Sequence, residues 1–164
     1  MAKHCIECGA ELTERYLKNE GMIPFCPVCD TYRFKLFNTA VIMIVRDEKT
    51  GKILLIKQYG RPHYILVAGY VNHGENLETT VVREIKEETG LVVSRFVFNR
   101  SEYFEKSNSL MCNFTVFVKD GSAISPNEEI DSYSWFTPEE AKANIKEGSL
   151  AERFLLEYLK NVKD

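Results

Sequence analysis

The chain has 164 residues, 45% of them apolar and 27% charged, which is enough for one full hydrophobic core and too little for two domains of ordinary size. Its 21 basic and 24 acidic side chains leave a net charge of −3, so no long basic face for gripping a nucleic-acid backbone is expected, although small anionic ligands remain open. The longest aliphatic run, Ala40 to Val45, falls far short of the ~20 residues a membrane helix needs, and Met1 to Ala10 carries no apolar signal core, so a soluble, cytoplasmic protein is expected.

Four of the five cysteines lie at the start of the chain. Cys5, Cys8, Cys26 and Cys29 form two CxxC knuckles at the spacing of a four-thiolate zinc site, and Gly9 suits the turn after the first knuckle. Four soft thiolates suit zinc and close its coordination sphere, so the expected metal is structural and replaces a core too small to form. A zinc ribbon over residues 1–34 and a mixed α+β domain over 35–164 are the expected domains. In the second, Thr39 to Arg46 and Lys52 to Gln58 read as a hairpin around the turn Asp47 to Gly51, followed by a strand Tyr64 to Val71. Leu77 to Thr89 reads as a helix stopped by Gly90. Strands are expected at Leu91 to Phe98, Leu110 to Val118 and Ser132 to Phe136, and helices at Pro138 to Ile145 and Ser149 to Leu159. Cys112 alternates onto the apolar face of its strand and reads as core.

The chemistry concentrates in Gly69 to Leu91, GYVNHGENLETTVVREIKEETGL. At about 100° per residue from Glu84, Glu87 falls at about 300° and Glu88 at about 40°, so three carboxylates share one arc, beside an apolar arc of Val81, Ile85 and Val82. Carboxylates crowded at i, i+3 and i+4 repel one another, and a hard divalent cation relieves that repulsion with oxygen ligands. The hexamer REIKEE alone reads rather as a solvated charged face, since such runs are common. The longer pattern decides otherwise: Gly69, Glu75, Arg83, Glu84, Glu87, Glu88 and Gly90, with aliphatic Ile85 and Leu91, resemble the Nudix box at every fixed position. Seven such matches arise by chance on the order of 10⁻⁹ times per start.

The resemblance to Nudix hydrolases implies an α/β/α sandwich with a mixed sheet, and hydrolysis of a nucleoside diphosphate linked to another moiety. It implies Mg²⁺ or Mn²⁺ held by Glu84, Glu88, the Ala68 carbonyl and Glu129, with Glu87 a ligand or the group that activates water. Arg83 and Glu75 would form the salt bridge that fixes the box. The ribbon before the box and the AGYV entry into it further resemble the NADH pyrophosphatase branch, which implies a homodimer cutting NAD(H) to nicotinamide mononucleotide and AMP. Tyr70, Phe104, Ser109, Ala151 and Phe34 stand at that branch's substrate-binding positions. The branch's proline-rich recognition motif corresponds to Ser101 to Met111, SEYFEKSNSLM, which has none of its prolines, so a loosely ordered loop is expected there. Asn72 stands where relatives often carry a glutamate. ADP-ribose or a nucleotide sugar, an NAD-capped RNA 5′ end, and a non-catalytic nucleotide-binding module are the competing readings; the last is disfavoured because no box carboxylate is lost. His63 and His73, beside the box, read as exposed or structural rather than catalytic.

Overall fold

The computed structural model describes residues 3–161. Met1, Ala2 and residues 162–164, the outer ends of the two expected domains, lie outside the described residues. The chain divides after Phe37 into two compact units.

In the first unit, β1 (Thr13–Leu17), β2 (Gly21–Cys26) and β3 (Thr31–Tyr32) form an antiparallel sheet in that order. Its interior is small. Among the described residues of this unit, only Cys5, Phe25 and Cys26 are buried, and the Phe25 ring is covered by the Arg15 guanidinium at 3.5 Å and by the edge-on Tyr32 ring at 5.2 Å.

In the second unit, β4 (Asn38–Asp47), β5 (Ile53–Gln58) and β6 (Val67–Tyr70) precede α1 (Leu77–Thr89). Then come β7 (Val93–Phe104), β8 (Ser109–Val118), β9 (Ile130–Phe136), α2 (Pro138–Asn144) and α3 (Leu150–Asn161). The sheet runs β7-β8-β4-β5-β9, with β6 also paired to β4, and it is mixed because β8 lies parallel to β4. The central strand β4 is apolar along most of its length because it is covered on both faces. Val41, Met43 and Val45 point toward Val81 and Ile85 of α1, while Ile42 and Ile44 point toward Ala141, Ile145, Phe154 and Leu155 of α2 and α3. This is the expected α/β/α sandwich. No helix among the described residues is long and apolar enough to cross a membrane.

Three expectations need correction. The β4–β5 hairpin is laddered only at its turn, through Arg46 and Ile53. Beyond the turn the strands diverge, because β6 takes the edge of β4 and β9 that of β5. Second, β7 continues past Phe98 to Phe104, so Ser101 to Met111 is a hairpin and no loose loop. Glu102 faces Met111 and Phe104 faces Ser109 across a single turn of 3₁₀ helix, Glu105–Ser107. Without prolines every residue there keeps the N–H that a ladder uses. Third, Val82 is exposed and Glu88 is buried on α1, so the buried arc is rotated toward the carboxylates.

Candidate active site

Helix α1 is fixed at both ends by its own sequence. Asn76 caps the start by accepting the Thr79 N–H at 2.8 Å, and Gly90 ends it in the left-handed conformation at φ 71°. Between the caps, Arg83 is the hub. Its Nε and Nη2 reach the two oxygens of Glu75 at 2.7 and 2.8 Å, a bidentate pair, and Nη2 also donates to the Tyr70 carbonyl at 3.0 Å. Nη1 donates to Glu84 at 2.7 Å and Glu87 at 3.0 Å. One guanidinium therefore ties the loop before α1, the end of β6 and two box carboxylates together. Glu75 further accepts from the Asn72 N–H and the buried Thr80 hydroxyl, and Arg83 first, then Asn72, lower its carboxyl to about 2.

Glu84 lies over Gly69 of β6. A methyl group at Gly69 would overlap the Glu84 carboxylate, so only glycine admits that approach. Ala68, the expected carbonyl donor, is the residue before it. Glu88 is 4% exposed, and Gln58 Nε2 donates to its Oε2 at 2.8 Å. Burial, then the Glu84 and Glu129 charges, push its carboxyl up to about 8. Burial raises Glu84 as well, against the pull of Arg83. Glu129, just before β9, acts on both of these groups electrostatically and accepts the Tyr59 hydroxyl at 2.6 Å. The hard oxygens of this set, mutually repelling and partly desolvated, fit Mg²⁺ or Mn²⁺.

The expected substrate residues are spread out. Tyr70 presents an exposed ring beside the Arg83 contact, and Phe34 is exposed in the first unit. Phe104 is half-buried against the α2/α3 core, and Ala151 is buried within it. Ser109 is buried, with its hydroxyl on the Ser107 carbonyl at 2.9 Å. His63 and His73 are exposed, and Cys112 is buried in the α1-side core. Gln58 and Tyr59 escaped the sequence reading, because each meets its carboxylate across a long stretch of chain and neither belongs to the box.

In the first unit the sulfurs of Cys5, Cys8, Cys26 and Cys29 all lie within 4.8 Å of one another, the sole such group among the described residues. Cys8 and Cys26 are 3.5 Å apart and Cys5 and Cys29 4.0 Å, which brackets the ~3.8 Å sulfur separation of tetrahedral zinc. The Cys29 N–H donates to Cys26 and Arg33 Nε to Cys5, as suits thiolates. The Cys8 backbone above all lowers Cys5 to about 6, while hydrogen bonds that the Cys29 thiol donates to Cys8 and Cys26 push Cys29 up to about 12. Four thiolates cannot share this space without a cation, and the donor set fits zinc.

The NUDIX domain model matches residues 36–157, more than two thirds of the chain. The chain belongs to the Nudix family. This Nudix chain is 26% identical over 163 residues to the Vibrio cholerae protein named NAD-capped RNA hydrolase NudC, covering 98% of the chain and 58% of that protein. A Pseudomonas aeruginosa protein of the same name is 26% identical over 160 residues, covering 96% and 57%. The chain thus spans less than two thirds of the length of these curated relatives. Among solved structures, a NUDIX hydrolase from Nitrosomonas europaea covers 98% of this chain and 94% of its own, with TM-score 0.64 and 22% identity. A C. elegans Ap4A hydrolase covers 74% and 96%, with TM-score 0.60 and 18% identity, and such likeness shows the Nudix fold.

Proposed function

We propose that the chain hydrolyses the diphosphate of a nucleoside diphosphate-X substrate, NAD(H) foremost, with Mg²⁺ or Mn²⁺ on the box carboxylates and structural zinc on the four cysteines. The observation that carries this reading is the complete acidic set: Glu84 and Glu87 on Arg83, which Glu75 anchors, and Glu88 electrostatically coupled to Glu84 and Glu129. The name of the relatives supports an NAD-type substrate, including an NAD-capped RNA 5′ end, and the acidic chain suits a cap better than an RNA body.

Glu84, Glu88, Glu129 and the Ala68 carbonyl would hold the cation, which supplies charge neutralisation at the diphosphate and a more acidic water. Glu87 is the most exposed box carboxylate and sits at Arg83 Nη1, so it is the group free to take a proton from water at the solvent side. Arg83, paired in bidentate fashion with Glu75, keeps Glu84 in place over Gly69. The exposed Tyr70 ring offers a stacking face for a base or nicotinamide. Action in the cytoplasm as a homodimer belongs to the same reading. Its support is the resemblance to the NADH pyrophosphatase branch and, for the reducing compartment, four cysteines grouped as for a metal rather than paired in disulfides.

A second reading, hydrolysis of ADP-ribose or a nucleotide sugar, is favoured by the hairpin that replaces the proline-rich recognition motif and buries Ser109. Product chromatography over NADH, NAD-capped RNA and ADP-ribose with Mg²⁺ and Mn²⁺ separates the two readings. Glu84→Gln and Glu88→Gln are each expected to lose roughly 10² or more in kcat with an unchanged fold. Near-normal turnover by both variants at saturating metal would refute the site.

A further inference from the structure

Three consecutive residues at the end of β5 each hold a carboxylate. Gln58 Nε2 donates to Glu88 Oε2 at 2.8 Å, the Tyr59 hydroxyl to Glu129 Oε2 at 2.6 Å, and the Gly60 N–H to Asp131 Oδ2 at 2.7 Å. The backbone is bent to deliver them. The Arg61 N–H closes a turn on the Gln58 carbonyl at 3.1 Å, and its two central residues, Tyr59 and Gly60, have φ of 55° and 67°. Turns with two positive φ values favour Asn or Gly at the first position, and a tyrosine there is strained by its Cβ. The opposing strand departs from regularity at the same place: Lys57 faces Ser132 and Gln58 faces Ile130, which leaves Asp131 as a bulged residue. A bulge and a strained turn meet where β5 and β9 pair, and two of the contacts made there go to Glu88 of the box and to Glu129, whose charge acts on Glu88.

We propose that Tyr59 is a positioning residue that holds Glu129 for the catalytic cation, as Gln58 holds Glu88. This rests on the reading of Glu129 as a cation ligand. Glu129 is exposed and stands outside any helix or strand, so its carboxylate has no neighbouring wall to select a rotamer. Its segment is fixed locally, with the Glu129 N–H donating to Asn127 Oδ1 at 3.0 Å, but the side chain beyond the backbone is held by the Tyr59 hydroxyl. One oxygen takes that hydrogen bond and the other is left to donate to a metal, the division of labour that outer partners of metal carboxylates perform. Glu88 repeats it, with Gln58 on one oxygen. The strain at Tyr59 has a purpose in this arrangement, because an αL residue at this point aims the phenol back across the sheet toward the residue before β9.

The test is Mn²⁺ binding to the full chain, followed by electron paramagnetic resonance of free Mn²⁺, for the wild type, Tyr59→Phe, Tyr59→Asn, Glu129→Gln and Tyr59→Phe/Glu129→Gln. Tyr59→Phe is expected to weaken Mn²⁺ binding about tenfold. Tyr59→Asn, which tolerates positive φ and lacks the phenol, should weaken it equally without lowering the melting temperature. The double variant should bind no more weakly than Glu129→Gln alone, because Tyr59 acts through that carboxylate. The Mn²⁺ concentration for half-maximal hydrolysis should rise with the dissociation constant. Wild-type Mn²⁺ affinity in Tyr59→Phe, or additive losses in the double variant, would overturn the positioning role while leaving Glu129 as a ligand. Wild-type affinity in Glu129→Gln would instead overturn the ligand reading on which the role rests.

Discussion

At Arg83 a single side chain answers most of the electrostatic problem the box creates. Four carboxylates within reach of one another would drive α1 apart; the guanidinium offsets two of them and anchors itself on a third, Glu75, that lies outside the helix. Glu75 is the group with the clearest consequence for stability. Its carboxyl is lowered from the usual 4.5 to about 2 in the folded chain, chiefly by Arg83. Between those pH values the unfolded chain binds the proton and the folded chain does not, so this contribution to stability is full above about 4.5 and is lost as pH falls toward 2. Urea midpoints of wild type and Glu75→Gln should therefore differ at pH 6 and converge toward pH 2. A constant difference across that range would show that the ion pair is not the source. The seven fixed box positions were legible in the sequence because their roles are local to one helix and its flanking loop. Gln58 and Tyr59 were not, because their partners, Glu88 and Glu129, come near only when the sheet is assembled.

At the scale of elements, the misread segment is the second half of β7. Asn99, Arg100, Ser101 and Glu102 are polar and suggest a loop, yet each is accounted for within the sheet. Asn99 donates to Asn113 at 2.7 Å and to Thr115 at 3.0 Å, and Arg100 and Glu102 join Arg153 and Glu157 of α3 in an ion-pair network. Polar strand residues with cross-strand or helix partners leave no periodic apolar signal, and alternation alone cannot find them. The strand carries Phe104 to its end, where the side chain packs against the core cluster on the α2/α3 side. Phe104 therefore has a structural role that a substrate-stacking residue on a loose loop would not have. Phe104→Ala is expected to cost about 1–3 kcal/mol of stability, less than a fully buried phenylalanine because the ring is only half-covered. Denaturant unfolding measures that loss directly. If stability is unchanged while KM for NADH rises, the side chain serves substrate and not the core.

The whole molecule joins two solutions to the problem of holding charge, and they differ in the softness of their donors. The second unit has apolar cores on both faces of its sheet and, in the reading proposed above, would lend a few carboxylates to a hard cation without its fold depending on that cation. The first unit has three buried residues among those described, two of them cysteines whose sulfurs sit in the four-cysteine group. Burial on that scale is small for ordering the unit, and a bound metal would add folding free energy that the core does not supply. The expectation is one tightly bound Zn²⁺ per chain, found by elemental analysis after expression in zinc-replete medium. Stripping it, or replacing Cys26 with Ser, should collapse amide exchange protection across β1 and β2 to that of an unfolded chain. Protection in β4, β8 and α1 should survive, because the clusters around Val41 and Ile44 do not include any ribbon residue. Hydrolysis should persist in part for the same reason. Undiminished protection of β1 and β2 in Cys26→Ser would mean that the sheet and the Phe25 cluster hold the unit by themselves, and the four-cysteine site would then have to be explained by something other than folding.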